Sequence, residues 1–314
     1  MKKVAFLFPG QGSQKIGMGK EFYQTSPKAK EMIQAASDRL GIDFAKLLFE
    51  PNERINQTQY TQPAILLVSL IAKELFQDHM PITPLYALGH SLGEFSALAS
   101  VGALDPMDGV ELVHKRGVFM QKAAEGKDGG MMVVMGLDDE VVEDLCARAR
   151  AQGRAIWPAN YNSDGQLVVA GIKSDLASME PIFKEAGAKR ALLLNMSVAS
   201  HCPLMEEARE PLQEYLQRFI QDSFEASVVS NVTASAYDTK TLAVDLLDRQ
   251  LVEPVRYKHS IKNIENDVQV FLEFGEGGVL KGLNRRITKV PTLTISDPRS
   301  LDQALSWLED NKIL

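Results

Sequence analysis

The sequence predicts an α/β fold: a largely parallel sheet covered by helices, with a small βαββαβ unit of the ferredoxin-like plan set into it. Three observations carry this. Short apolar, β-like runs alternate with helical patterns through most of the chain, the order that layers helices on a parallel sheet. A glycine-rich break, Gly126-Lys127-Asp128-Gly129-Gly130, is followed by a segment with its own strand and helix rhythm. The 314 residues are 45% hydrophobic and 24% charged, which suits a globular protein and excludes disordered, collagen-like and coiled-coil chains.

The first strand is expected at residues 3–8, where Val4-Ala5-Phe6-Leu7-Phe8 is apolar throughout. Lys2 and Lys3 precede it as in a leader peptide, but the run is too short and stops at Pro9-Gly10, so it reads as a buried strand. Further body strands are expected at 85–89, 228–231, 269–274 and 292–295, with helices at 62–77, 92–101, 107–124, 203–220, 241–251 and 301–310. After the glycine break come a strand at 131–135, a helix at 138–151, a strand pair at 155–160 and 166–170, a helix at 174–186 and a strand at 190–194. The expected division is therefore a body of residues 1–126 and 197–314 with an inserted subdomain of 127–196.

Charge and composition narrow the function classes. With 34 Lys and Arg against 41 Asp and Glu the net charge is −7, which disfavours a nucleic-acid partner held by bulk phosphate neutralisation. The longest apolar runs, such as 64–72, fall short of the roughly 20 residues of a membrane helix, so no membrane association is expected. Cys146 and Cys202 are too few for a disulfide framework, which points to a reducing, cytoplasmic location. No H-E-x-x-H, C-x-x-C or acidic triad occurs, and no metal is expected.

The strongest local signal is Gly89-His90-Ser91-Leu92-Gly93, a G-x-S-x-G pattern between a predicted strand and a predicted helix. Glycines on both sides permit a tight turn that pushes the Ser91 hydroxyl outward and aims helix N–H groups at the same point. Ser91 is then a nucleophile, or else a serine that only caps the helix. A nucleophilic serine needs a base. His90 is its chain neighbour and diverges at a sharp turn, while His79, His114 and His259 sit in or at the ends of amphipathic helices. His201 lies in a loop before Cys202-Pro203, a helix start, and is the candidate base. No acidic third member is evident.

Arg116 has Leu112, Val113, Phe119 and Met120 at i±3 and i±4, so it faces inward and requires an anion. Either a distant Asp or Glu supplies it, or a substrate carboxylate does. Gly10-Gln11-Gly12-Ser13-Gln14 follows the first strand; it matches neither a P-loop nor a dinucleotide fingerprint, but its backbone can present N–H donors to an oxyanion.

These segments occur in one order with Tyr60-Thr61-Gln62-Pro63-Ala64, Lys115-Arg116-Gly117, Ser200-His201 and the stretch 250–254. Together they resemble the malonyl-CoA:acyl carrier protein transacylases of type II fatty acid synthesis, over nearly the whole chain. The resemblance implies a hydrolase-like body, Ser91 as nucleophile, His201 as base, and the N–H groups of Gln11 and Leu92 as an oxyanion hole. It implies that Arg116 grips the malonyl carboxylate, that a main-chain carbonyl at Gln250 orients the histidine, and that Asn160 lines the pocket from the subdomain. No bound cofactor is implied. The substrate is a CoA thioester, malonyl-CoA, and the partner is an acyl carrier protein bearing phosphopantetheine, met by a monomer.

Carrier proteins of this kind are acidic, so an acidic enzyme needs a local cationic face. Lys281, Arg285, Arg286 and Lys289 place four positive charges in nine residues with no acid among them; the segment is a docking surface or a solvated helix face. Three other functions share these residues: a discrete acyltransferase of polyketide synthesis, a thioesterase-type hydrolase, and a non-catalytic binding module.

Overall fold

The computed structural model describes residues 3–194, 196 and 198–313. The expected body boundary at 197 lies outside the described residues. The chain begins with β1 (Val4–Phe8), buried at all five positions, as a parallel strand covered on both faces must be. Three short helices follow, α1 (Lys20–Thr25), α2 (Pro27–Leu40) and α3 (Phe44–Phe49). Then come α4 (Thr58–His79), β2 (Tyr86–Gly89), α5 (Gly93–Ser100) and α6 (Pro106–Ala124). Asp105 caps α6 by accepting from the N–H groups of Met107 and Asp108, with Pro106 in the first turn.

The second unit comprises β3 (Gly129–Met135), α7 (Asp139–Ala151), β4 (Ile156–Ser163), β5 (Gln166–Ile172), α8 (Lys173–Glu185) and β6 (Arg190–Leu193). The chain returns to the body through a 3₁₀ turn (Pro203–Ala208), α9 (Arg209–Phe219), β7 (Ser227–Val229), β8 (Ala236–Tyr237) and α10 (Lys240–Arg249). It ends with α11 (Tyr257–Ile264), β9 (Val270–Phe274), α12 (Val279–Asn284), β10 (Thr292–Ile295) and α13 (Pro298–Asp310).

The result is a mixed α/β protein with two sheets. The larger has the order β10-β9-β1-β2-β7-β8, parallel throughout except for the two-residue edge strand β8. The smaller is antiparallel, in the order β4-β5-β3-β6, over its own core of Met132, Val134, Cys146, Val169, Leu176 and Phe183. The two are stitched together: Val255 donates to the Ala159 carbonyl and accepts from Tyr161 N–H, each at 2.8 Å, and Lys258 pairs with Asp139 at 2.5 Å. Strands β1 and β2 are adjacent at the centre of the large sheet, so the loops beyond their carboxyl ends meet, the usual place for a site in an open α/β sheet.

Several elements differ from expectation. Residues 203–220 form two elements, because Arg209 N–H bonds the Glu206 carbonyl three residues back and the chain turns in the tighter 3₁₀ geometry before α9. Strand β4 extends to Ser163, and Asp164-Gly165, with Gly165 at φ +68°, forms the two-residue turn into β5. Helices α1 to α3, α11 and α12 were not anticipated individually. For α2 the signals were present: Ser26 caps it, Pro27 starts it and Gly41 ends it in the left-handed conformation.

Candidate active site

Ser91 sits at φ +53°, a left-handed conformation that costs a non-glycine residue about 1–2 kcal/mol and persists only where its surroundings enforce it. Steric necessity explains the glycines around it. A Cβ on Gly89 would lie 2.2 Å from the Gly93 carbonyl carbon, one on Gly93 2.0 Å from the Phe8 carbonyl oxygen, and one on Gly10 2.2 Å from the His90 oxygen. The turn is pressed against the end of β1 with no room for side chains. Asn231 braces it: Ser91 N–H donates to Asn231 Oδ1 at 2.6 Å, and Asn231 Nδ2 donates to the Gly89 carbonyl at 2.7 Å. The N–H groups of Gln11 and Leu92 have no acceptor among the described residues.

His201 is also left-handed, at φ +62°, and is 3% exposed. Its Nδ1 lies 2.7 Å from the Gln250 carbonyl. A carbonyl only accepts, so Nδ1 carries the proton and Nε2 is left as a base. Burial first, and the charge of Arg116 second, push its pKa down to about 3, so the ring is neutral at ordinary pH. The group that orients the imidazole is thus a main-chain oxygen, where spacing had offered no acid.

Arg116 is 1% exposed. Its Nη1 donates to Gln62 Oε1 at 2.9 Å, and its Nη2 to Gln250 Oε1 at 3.0 Å and Ser91 Oγ at 3.2 Å. Its Nε is buried without a partner, and no carboxylate lies within ion-pair distance of it among the described residues, the charge of Glu94 reaching it only from farther off. Burial lowers its pKa to about 10, still fully charged at neutral pH. Of the two anion sources the sequence left open, the structural salt bridge is therefore not found there. Gln11, Ser91, Leu92, Arg116, Asn160 and His201 all line one small inner cavity of about 50 Å³. It shares Gln11 and Met196 with an outer cleft of about 1000 Å³, bordered by Gln14, Gln57, Lys173 and Leu194. Asn160 Oδ1 is buried and unpartnered there, while Asn162, two residues on, bonds His90 Nε2 at 2.7 Å.

Residues 5–281 match the acyl transferase domain family. A protein of Bacillus subtilis (strain 168) named malonyl CoA-acyl carrier protein transacylase is 39% identical over 313 residues, covering 99% of this chain and 98% of that one. The chain belongs to the malonyl CoA-acyl carrier protein transacylase family. The crystal structure of the Helicobacter pylori transacylase superposes with a TM-score of 0.95 at 46% identity, covering 99% of both chains. A malonyl-transacylase solved with its type II PKS acyl-carrier protein has a TM-score of 0.93 at 38% identity, covering 97% of this chain and 99% of that one.

Within this transacylase fold the cationic segment lies apart from the inner cavity. Lys281 is on α12, and Arg285, Arg286 and Lys289 border a separate shallow depression of about 530 Å³ beside Glu265. Only Lys281 belongs to the helix itself, so the segment is a helix end and turn, not a helix face. At Gly275-Glu276-Gly277-Gly278, Glu276 pairs with Lys15 at 2.8 Å and ties the turn to the loop after β1. Glu94, Asn231, Tyr237 and Gln62 were not singled out as site residues. Gln62 lay within the segment Tyr60-Thr61-Gln62-Pro63-Ala64, and Glu94 left a readable trace as an acid in a helix whose other seven residues are small, apolar or hydroxylic. No group of three His, Cys, Asp or Glu side chains that could hold a metal occurs among the described residues, and no described helix is long and apolar enough to cross a membrane.

Proposed function

We propose that this chain moves the malonyl group of malonyl-CoA to the phosphopantetheine thiol of an acyl carrier protein through a malonyl ester on Ser91, supplying fatty acid elongation. The observation that carries this is Arg116: a buried guanidinium with no acidic partner among the described residues, its Nη2 3.2 Å from Ser91 Oγ. A cation beside the nucleophile suits an acyl group with a second negative end, and malonyl is such a group. The names of the relatives and the neighbour solved with its carrier protein support the same reading.

Arg116 donates to Ser91 Oγ, which leaves the hydroxyl hydrogen for His201 Nε2. As Oγ attacks the thioester carbonyl, His201 takes that proton, and the new oxyanion is received by the N–H groups of Gln11 and Leu92. The C–S bond breaks, His201 protonates the departing CoA sulfur, and malonyl-Ser91 remains. The carrier thiol then gives its proton to His201 and attacks the ester, and Ser91 leaves with the proton. Every atom is accounted for by malonyl-CoA, the carrier thiol and the enzyme, so no bound cofactor is required.

In this reading residues 1–126 and 197–314 are a hydrolase-like body and 127–196 a ferredoxin-like insert that brings Asn160 to the pocket; the β4-β5-β3-β6 order supports the latter. Lys281, Arg285, Arg286 and Lys289 receive the carrier protein. One chain contains every group the mechanism uses, which supports a monomer as the working unit, acting in the cytoplasm. Initial rates with malonyl-CoA and carrier protein varied together should give parallel double-reciprocal lines; intersecting lines would contradict the ester intermediate. A discrete polyketide acyltransferase would use the same residues, and the neighbour bound to a PKS carrier makes that reading specific. A panel of carriers, and of malonyl-CoA against methylmalonyl-CoA, decides between them.

A further inference from the structure

Helix α5 is buried along its whole length and holds one charged side chain, Glu94, with 0% exposure. A buried carboxylate is tolerated only when well bonded. Oε1 accepts from Tyr237 OH at 3.0 Å, and Oε2 accepts from Asn231 N–H at 3.1 Å and Gln250 Nε2 at 2.7 Å. No Lys or Arg bonds to it among the described residues, Arg116 acting on it only through space. Arg116 is a buried charge that acts on it and likewise has no ion pair among the described residues, and the Gln250 amide lies between the two. Gln250 Nε2 is committed to Glu94 and to the Ser91 carbonyl at 3.1 Å, so Gln250 Oε1 is the end left to accept from Arg116.

Carboxylate, amide and guanidinium therefore stand in line. We propose that Glu94 is a positioning residue that serves as the separated counter-ion of Arg116, acting through the oriented Gln250 amide so that the guanidinium keeps donors free for the substrate carboxylate. This rests on the malonyl-transfer reading. A direct ion pair would occupy the donors the substrate needs, whereas no counter-ion at all would leave a buried charge uncompensated. The unpartnered Arg116 Nε fits a guanidinium whose donors are not used up by the resting protein. When a malonyl carboxylate arrives it takes over the counter-ion role, so it and Glu94 act on Arg116 in competition.

Glu94→Gln keeps the shape and the hydrogen bonds: its oxygen accepts from Asn231 and Gln250, and its NH₂ donates to the Tyr237 oxygen. Only the charge is removed. Ser91 acylation by malonyl-CoA and by acetyl-CoA is measured at pH 8, above the value of about 7 to which burial pushes Glu94. The malonyl-to-acetyl ratio of kcat/KM should rise about threefold or more in Glu94→Gln, and the extra thermal stabilisation by malonyl-CoA over acetyl-CoA should widen. A residue with a merely structural role would lower both substrates together and leave the ratio unmoved. A ratio that stays level or falls overturns the proposal. Tyr237→Phe strips one donor from the carboxylate and so favours its neutral form; it should move the ratio the same way by less, and it decides the matter if Glu94→Gln does not fold. If the wild-type enzyme takes no malonyl on Ser91, the transfer reading itself falls; if it does and the ratio does not rise, only the role of Glu94 falls.

Discussion

Replacing Arg116 by Ala removes the one Lys or Arg among the described residues that line the inner cavity. The guanidinium is 1% exposed and makes its bonds to Gln62 and Gln250 at 2.9 and 3.0 Å, so it is rigidly held and already stripped of water. A carboxylate reaching it forms a desolvated, charge-assisted pair, and truncating one partner of such a pair costs about 2–5 kcal/mol. That corresponds to a loss of about 30- to 5000-fold in kcat/KM for malonyl-CoA. Acetyl-CoA has no second carboxylate and should be spared. Loss of the Nη2 bond to Ser91 Oγ is offset for acetyl, because the Arg116 charge is one of the causes that hold the His201 pKa low, and removing it makes Nε2 more basic. The assay is rapid-quench acylation of Ser91 with each thioester at subsaturating concentration, which reads kcat/KM for the first half-reaction alone. A parallel fall for the two substrates would refute the reasoning, since it would make Arg116 a support for Ser91 and not a receptor for the carboxylate.

Other consequences follow from the same geometry. Gly93→Ala, whose Cβ would stand 2.0 Å from the Phe8 oxygen, should cost more than about 2 kcal/mol in urea unfolding, whereas Gly12→Ala, with nothing within 4 Å and only a φ of +106° against it, should cost about 1–2 kcal/mol; equal losses would deny that the turn is sterically locked. Stability against pH tests the buried network. His201 is held below its ordinary 6.5, so its contribution is present above that value and is lost as pH falls toward 3; Glu94 is raised from 4.5 to about 7, so its contribution is present below 4.5 and is lost as pH rises toward 7. Between pH 4.5 and 6.5 the two oppose each other, and Glu94→Gln should make stability climb with pH more steeply than in the wild type, by up to about 1.4 kcal/mol per pH unit. Urea midpoints that run parallel in the two proteins would contradict this. Arg285→Glu with Arg286→Glu should slow transfer to the carrier protein while leaving Ser91 acylation by malonyl-CoA unchanged; transfer at wild-type rate and wild-type salt dependence would remove the docking surface.

The parts of this molecule that the sequence revealed are those written in local chemistry. The apolar run of β1 is legible because a strand covered on both faces has no polar position, and Ser91 because its flanking glycines are a steric requirement of the turn. Arg116 was legible from apolar neighbours one helical turn away on either side. His201 emerged from its loop setting, but its orienting partner did not, because a main-chain carbonyl has no residue type to recognise. Asn231 and Tyr237 were hidden for a different reason. They act on Ser91 and Glu94 across 140 and 143 residues of chain, and nothing in their immediate sequence distinguishes them from other polar positions. The short helices α1 and α3 are six residues each, too brief for a periodic pattern to emerge.

The central claim is that Ser91 carries the malonyl group between two thiols. Intact-mass measurement after mixing the protein with malonyl-CoA, without any carrier protein, tests it most directly. One malonyl group should appear on the chain, persist, and vanish on adding carrier protein with phosphopantetheine, while Ser91→Ala should gain nothing. An unmodified wild-type mass, or an equal mass gain in Ser91→Ala, would contradict the account.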